Sequence, residues 1–262
     1  MTQSESPDTS QLPFVAPCRP LSRGVARRWL RAGWRDLKAA PLQSLTYGAA
    51  IAAFSALISI VAWRFGSAWM LIIMLSSFVF VAPVLALGLY AISAELERGE
   101  KPTLRRVLLE ERGRLSDALV YSLALLVLSL VWMRAGTGVQ IFYPDSGAPT
   151  FRELLGFYAI GSAVGSIFAL IAFAASAFAL PMLLDRRTDG VTAVVTSIHA
   201  VLRNKRAMVW WVVCIVAAVA IGFATLFIGL IVTMPLIGHA TWHAYRETID
   251  ASAWPRHVDG GD

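Results

Sequence analysis

The sequence predicts an all-α fold, a membrane bundle of six transmembrane helices with short amphipathic helices at the cytoplasmic interface. Hydrophobic residues make up 57% of the 262 residues and charged residues only 15%, whereas soluble domains carry roughly a quarter of their residues as charged ones. The mean hydropathy is +0.63. The apolar residues are also grouped in blocks long enough to cross a hydrocarbon core about 30 Å thick.

Five apolar blocks define the predicted spans. The first four are 42–63, 68–92, 117–134 and 155–184. The fifth, 207–245, would form a helix nearly twice the membrane thickness, because each helical residue adds about 1.5 Å. We interpret it as two spans joined by a turn between Gly222 and Gly229. One tilted helix with an exposed end is the alternative, and it would reduce the total to five.

The segments between the spans differ strongly in basic residues. Twenty of the 23 Lys and Arg residues fall on the N-terminal side of the predicted membrane and three on the other side. Because basic residues near span ends stay cytoplasmic, both termini are predicted to be cytoplasmic. The net charge of +6 then indicates anionic lipid headgroups as the partner, and not nucleic acid.

The chain divides into three parts by composition. Residues 1–21 are polar and proline-rich and predict a disordered cytoplasmic tail. Residues 22–248 form the predicted membrane domain, and 249–262 form a C-terminal tail. Cys18 and Cys214 fall in a tail and in a span, so a disulfide between them is not expected.

An amphipathic stretch at 22–38 precedes the first span. It places Trp29 on an apolar helical stripe with Trp34 beside it, and it places three arginines opposite. This pattern is typical of a basic helix that lies in the membrane interface. The predicted interface residues are Arg27, Trp29, Arg31, Trp34 and Arg35. Weaker versions of the pattern occur at 103–115 and 191–206.

One proline lies in the second span that follows each basic stretch: Pro83, Pro181 and Pro235. Proline removes a backbone hydrogen bond and kinks a helix, so three kinks are expected. The recurrence is consistent with three helix-hairpin repeats. A chance recurrence of the three prolines is an equal alternative, because proline is commoner in membrane helices than in soluble ones.

A stripe of small residues occurs in the fourth span, at Gly161, Gly165 and Ala169. Such a stripe lets a neighbouring helix approach closely. It could serve a homo-oligomer or packing within one chain, and we favour packing within the chain because a bundle needs such faces internally.

The stretch PLIGHATWHAY at 235–245 ends the last apolar block. His239 and His243 share one helix face with Glu247, and with a third ligand such a pair can hold a metal. We favour a different interpretation, in which Trp242, Tyr245 and the two imidazoles form an interfacial belt at the end of the span. No bound cofactor is expected.

The predicted spans contain no Asp, Glu, Lys or Arg in their interiors, and the chain has no phosphate loop, nucleophile elbow or paired-cysteine metal site. Ion-coupled transporters usually place charged groups at membrane depth. The sequence therefore favours a non-catalytic structural or lipid- and partner-interacting protein. A small-solute transporter or channel, and a haem- or metal-binding redox subunit, are the alternatives.

Four stretches resemble an uncharacterised bacterial family of predicted integral membrane proteins, the domain of unknown function 2189. They are GWRDLKAAPLQSLTYG (33–48), VLALGLYAISAELERGE (84–100), TSIHAVLRNKRAM (196–208) and PLIGHATWHAYRE (235–247). The resemblance extends over roughly residues 25–248 and implies a multi-pass protein of the bacterial cytoplasmic (inner) membrane with no established activity. Some family members are labelled cytochrome oxidase subunits, but a haem-copper catalytic subunit needs histidines in several spans, and this chain has four in all.

Overall fold

The computed structural model of the protein describes residues 13–65, 86–103, 115–144 and 149–256. Within these residues the regular secondary structure is helical, apart from two isolated β-bridges. The all-α prediction is confirmed. The helices are α1 (Val25–Ala39), α2 (Pro41–Phe65), α3 (Leu87–Glu97), α4 (Leu115–Val139), a 3₁₀ turn (Gln140–Phe142), α5 (Phe151–Ser176), α6 (Ala179–Asp185), α7 (Gly190–Arg203), α8 (Lys205–Ala224) and α9 (Leu230–Thr248).

Four helical segments of the described residues are long and apolar enough to cross a membrane. They are Pro41–Val61, Leu123–Phe142, Phe151–Asp185 and Lys205–Ala224. They correspond to the predicted spans at 42–63, 117–134, 155–184 and the first half of 207–245. Most of the predicted span 68–92, with Pro83, lies outside the described residues.

The long apolar block at 207–245 is divided into α8 and α9, as we predicted. The chain turns at residues 225–229, where the backbone N–H of Gly229 donates to Thr225 Oγ1 at 2.8 Å. Leu226 and Phe227 adopt positive φ angles of 51° and 71°, which a continuing α-helix cannot contain. A single tilted helix is therefore excluded. Unlike α8, α9 is not one of the four candidate spans.

The two described prolines of the proposed repeat act differently. The ring of a proline clashes with the carbonyl four residues earlier, and for Pro181 that carbonyl belongs to Ala177, where α5 gives way to α6. The N–H of Phe178 at this break donates to Ser197 Oγ at 3.1 Å. Pro235, in contrast, lies inside the continuous helix α9.

Helix α9 is the centre of the described bundle, with α1, α2, α3 and α8 packed around it. Glycines allow the closest approaches. A Cβ on Gly33 of α1 would lie 2.7 Å from the backbone nitrogen of Ala240, and one on Gly48 of α2 would clash with the carbonyl oxygen of Ile231. That carbonyl is four residues before Pro235 and so receives no helical N–H from it.

The small-residue stripe of α5 faces α4 of the same chain. Cβ atoms on Gly161 and Gly165 would lie 3.7 Å from Val139 and 3.8 Å from Trp132. These two glycines therefore lie beside a helix of the same chain, and packing within the chain, which we favoured from the sequence, stays a prediction. The homo-oligomer interpretation, which includes Ala169, stays a prediction.

The two ends of the described chain lie side by side. The N–H of Arg19 donates to the carbonyl of Thr248 at 2.8 Å, and the N–H of Asp250 donates to the carbonyl of Pro17 at 2.9 Å. Ala16 is fully buried. Hydrogen bonds from Ser252 and Arg19 hold the pKa of Asp250 below its usual value.

Residues 13–21 are therefore ordered, which corrects the disordered tail predicted for 1–21 over that part. The polar composition gave no sign of the backbone pairing, because the partner segment, residues 248–250, comes from the other end of the sequence. Residues 1–12 lie outside the described part of the chain. Residues 249–256 of the predicted C-terminal tail are also packed, since Trp254 is buried and its carbonyl accepts a 2.7 Å hydrogen bond from Arg186, whereas 257–262 lie outside the described residues.

Candidate functional site

The polar end of α9, residues 239–247, directs side chains toward α1, α2, α3 and α6. Most of its residues have polar tips, and the small residue Ala240 lies where α1 approaches most closely, at Gly33. The partners are Ser44, Asp36 and Ser93 for the histidines, Glu97 and Asp185 for Trp242, Tyr245 and Arg246, and Arg28 and Trp29 for Glu247.

The imidazole of His239 is fully buried between two serines. Its Nε2 lies 2.9 Å from Ser44 Oγ, and its Nδ1 lies 2.8 Å from Ser93 Oγ. The Ser93 hydroxyl donates its hydrogen bond to Asp36 Oδ2 at 2.8 Å. The Ser93 oxygen therefore accepts the hydrogen bond of the Nδ1–H of His239. Since a neutral imidazole has one donor and one acceptor nitrogen, Nε2 then accepts from the Ser44 hydroxyl.

His243 extends this chain of hydrogen bonds toward the surface. Its Nε2 lies 2.8 Å from Asp36 Oδ2, and its side chain is 26% exposed. The result is a relay, Ser44–His239–Ser93–Asp36–His243, built from α1, α2, α3 and α9. Buried polar networks of this kind fix one arrangement of the helices when every member is satisfied.

Glu247, one turn further along α9, holds the first half of α1. Its carboxylate accepts a 2.8 Å hydrogen bond from Trp29 Nε1 and pairs with Arg28. The Trp29 ring meets the Trp211 ring of α8 edge-on, with centroids 5.4 Å apart. These contacts and the close approach at Gly33 turn the apolar face of α1 toward the protein.

A second group of side chains ties α9 to α3 and α6. Trp242 donates to Glu97 at 2.9 Å, and Arg246 pairs with Glu97 at 2.8 Å and with Asp185 at 3.2 Å. The hydroxyl of Tyr245 donates to Asp185 at 2.9 Å. The two carboxylates thus receive hydrogen bonds from three side chains, Trp242, Tyr245 and Arg246, that lie within little more than one turn of α9.

Four side chains that the sequence placed at the membrane interface, Trp29 of the 22–38 stretch and three members of the 239–245 belt, are instead buried within the protein. Trp29, Trp242, Tyr245 and His239 are at most 2% exposed within the protein. Amphipathic residues collect at a membrane interface because their polar tips need water or headgroups, but here other helices supply the hydrogen-bond partners. Trp34 is 41% exposed, and the arginines predicted for the interface, Arg27, Arg31 and Arg35, are also exposed.

The three side chains considered as metal ligands, His239, His243 and Glu247, do not converge on one point. His239 and His243 are bridged by Asp36 and Ser93, while Glu247 is directed to Arg28 and Trp29. In the part of the chain that the structure describes, no three His, Cys, Asp or Glu side chains are grouped as metal ligands.

Sequence reasoning singled out the histidines but missed their partners. Asp36, Ser44, Ser93 and Glu97 were not named, although they lie in the stretches 33–48 and 84–100 that carry the family resemblance. The available signal was that the stretches 33–48 and 84–100 carry the same family resemblance as 235–247, which contains the histidines. The order serine, histidine, serine, aspartate also resembles a nucleophile with its base, but Ser44 is fully buried.

Comparison with known families matches residues 70–185 to the family described as "Predicted integral membrane protein (DUF2189)". The match covers less than half of the chain and includes Ser93, Glu97 and Asp185 of the site. No curated protein and no solved structure matches the chain. The protein is therefore a predicted integral membrane protein with several apolar helices, and its resemblance to the family DUF2189 is confirmed over residues 70–185.

Proposed function

We propose that this chain is a non-catalytic protein of the bacterial cytoplasmic membrane that binds anionic lipid headgroups through an arginine row on α1. The row consists of Arg27, Arg31 and Arg35. These side chains are exposed, they recur every four residues on one helix face, and the ion pairs of the described residues involve other side chains. This exposed row is the observation that carries the proposal.

The position of α1 supports a headgroup partner. The helix ends at Ala39, and the candidate span of α2 begins two residues later at Pro41. Lys38 extends the basic face next to this span, with its Nζ 5.4 Å from the centroid of the Trp34 ring. Each basic residue near an anionic surface contributes about 1 kcal/mol.

The polar end of α9 has a positional role in this proposal. It holds the apolar face of α1 inward through Asp36, Trp29 and Gly33, so the arginines can only face outward. An unsupported amphipathic helix would instead insert its apolar face into the lipid. The site therefore acts by orienting a binding surface.

The proposal includes six spans, with both termini in the cytoplasm. Its support is the β-bridge between Cys18 and Ile249, which requires both residues on one side and hence an even number of crossings between them. The basic asymmetry of the sequence assigns that side to the cytoplasm. Three helix-hairpin repeats would be one way to build six spans.

The headgroup proposal is tested by counting the lipids that the purified protein retains. The triple variant Arg27→Gln, Arg31→Gln, Arg35→Gln is compared with Arg134→Gln, Arg152→Gln, which changes exposed arginines of the α4–α5 hairpin. Native mass spectrometry after extraction from phosphatidylglycerol-rich membranes should show fewer bound anionic lipids for the triple variant alone. Equal retention by all three proteins would overturn the proposal.

A small-solute transporter coupled to protons is the second candidate. The relay favours it, because the chain of exchangeable protons runs from half-buried His243 to Ser44 in the first turn of the candidate span of α2. Proteoliposomes with an internal pH dye should then show proton flux that His239→Leu abolishes. Flux no greater than that of protein-free vesicles would count against this function.

A further inference from the structure

Helix α7 has its apolar side turned away from the protein. The residues on its inner side are small or carry hydroxyls: Thr192, Ala193, Thr196, Ser197 and Ala200, all at most 5% exposed. On the outer side, Val191 is 57% exposed, Ile198 36% and Leu202 56%. This is the reverse of an amphipathic helix that covers a soluble core.

Hydrogen bonds fix this orientation of α7. Ser197 Oγ donates to the carbonyl of Ala174 at 2.7 Å and accepts from the N–H of Phe178 at 3.1 Å. One residue earlier, Thr196 Oγ1 accepts from the N–H of Ala16 at 3.1 Å. Rotating the apolar side inward would leave these buried polar groups without partners, at a cost of about 1–3 kcal/mol each.

The contacts of α7 place it at the level where spans end. Ser197, in its middle, bonds the last turn of α5 and the break before α6, both in the last third of the candidate span Phe151–Asp185. Its C-cap, Asn204, is followed directly by Lys205, the first residue of the candidate span of α8. The helix therefore runs between the ends of two spans.

We propose that α7 lies in the plane of the membrane interface, with Val191, Ile198 and Leu202 in contact with the upper acyl chains of the lipid. Its basic neighbours fit this depth. Arg203, Lys205 and Arg206 are exposed beside the apolar side, as expected for a helix whose apolar face is buried at the boundary between headgroups and acyl chains. The occupant is lipid because the next helix, α8, is itself a candidate membrane span, and its first turns expose Val209 and Trp210 at 62% and 67%.

This inference goes beyond the arginine row on α1 and does not depend on it. Helix α1 presents charges to headgroups with its apolar side covered by protein, whereas α7 presents aliphatic side chains. The two helices thus contact different chemical layers of the same leaflet.

Site-directed spin labels on the full-length protein in liposomes test the depth of α7. In a Cys18→Ser, Cys214→Ala background, single cysteines replace Ile198 or Leu202. Val213 of α8 serves as the position within a span, and Ser252 of the C-terminal segment serves as the polar reference. Collision with oxygen should exceed collision with a water-soluble nickel chelate at 198 and 202, with a ratio between those of the two references.

Two results would overturn the inference. A nickel collision rate at 198 and 202 equal to that at 252 would place the helix in water. Low collision with both reagents would show that a protein, such as a second copy, covers it. If the cysteine-free background does not fold, a benzophenone amino acid at Leu202 of the otherwise native chain should crosslink to lipid, and a crosslink to protein alone would reject the proposal.

A comparison with the arginine variants separates the two proposals. The triple change Arg27→Gln, Arg31→Gln, Arg35→Gln should leave the oxygen-to-nickel ratio at 198 unchanged. A loss of anionic lipid without a change of this ratio supports both proposals, and an altered ratio would show that α7 depends on α1 for its position.

Discussion

The Nε2 atom of His243 lies 2.8 Å from Oδ2 of Asp36, which ties the last turns of α9 to the end of α1 beside the arginine row. The same Oδ2 atom accepts a hydrogen bond from the Ser93 hydroxyl. It therefore joins the partly exposed end of the relay, at His243, to the buried part at Ser93 and His239. The position of α1 on the bundle therefore depends on polar contacts as well as on apolar packing.

Replacing His239 should cost more stability than replacing His243. His239→Leu leaves the buried Ser44 hydroxyl without its acceptor, and we expect a loss of about 1–3 kcal/mol in the free energy of unfolding. His243→Gln keeps a donor at a position that is 26% exposed, so its loss should stay below about 1 kcal/mol. Unfolding in mixed detergent micelles measures both, and equal losses would contradict the buried relay.

Gly33→Ala should displace α1 from α9. The new Cβ would lie 2.7 Å from the backbone nitrogen of Ala240 and 2.7 Å from the carbonyl oxygen of Leu236, and neither atom can move without shifting its helix. Overpacking of this kind costs about 1–3 kcal/mol. Gly136→Ala is the control, because nothing lies within 4 Å of its Cβ. Thermal unfolding of the two variants in detergent should differ, and a Gly33→Ala protein as stable as wild type would refute the close approach.

Tyr245→Phe should destabilise the junction between α9 and α6. The change removes a 2.9 Å hydrogen bond to Asp185 while the ring remains, and a hydrogen bond to a charged group contributes about 1.5–3 kcal/mol. Tyr158→Phe changes a side chain that is 54% exposed and should have little effect. Chemical unfolding of both variants provides the measurement, with indistinguishable midpoints as the contrary result.

Reporter fusions should place both ends of the chain in the cytoplasm. A C-terminal green fluorescent protein should fluoresce and a C-terminal alkaline phosphatase should be inactive, because only the periplasm permits phosphatase folding through its disulfides. The pairing of residues 17–19 with 248–250 requires the N-terminal fusion to give the same result. Opposite signals at the two ends would favour an odd number of spans.

Composition and the lengths of the apolar blocks were enough to predict the all-helical class, the membrane character and the division of 207–245 into two helices. These properties follow from local information, since composition and the length of apolar blocks are read along the chain. The apolar blocks at 42–63, 117–134 and 155–184 are helical where predicted, apart from the break at residues 177–178. The turn between α8 and α9 was expected because a single helix would be too long for the membrane.

Which side of each amphipathic helix faces the protein could not be read from the sequence and depends on contacts between helices. Helix α1 has the stronger pattern, yet its apolar side packs on α9, whereas α7 exposes its aliphatic residues. A periodic pattern shows that a helix has two sides but does not say whether protein or lipid covers the apolar one. The same limit applies to His239 and Tyr245, because the serines and the carboxylate that bury them come from α2, α3 and α6, far away in the sequence.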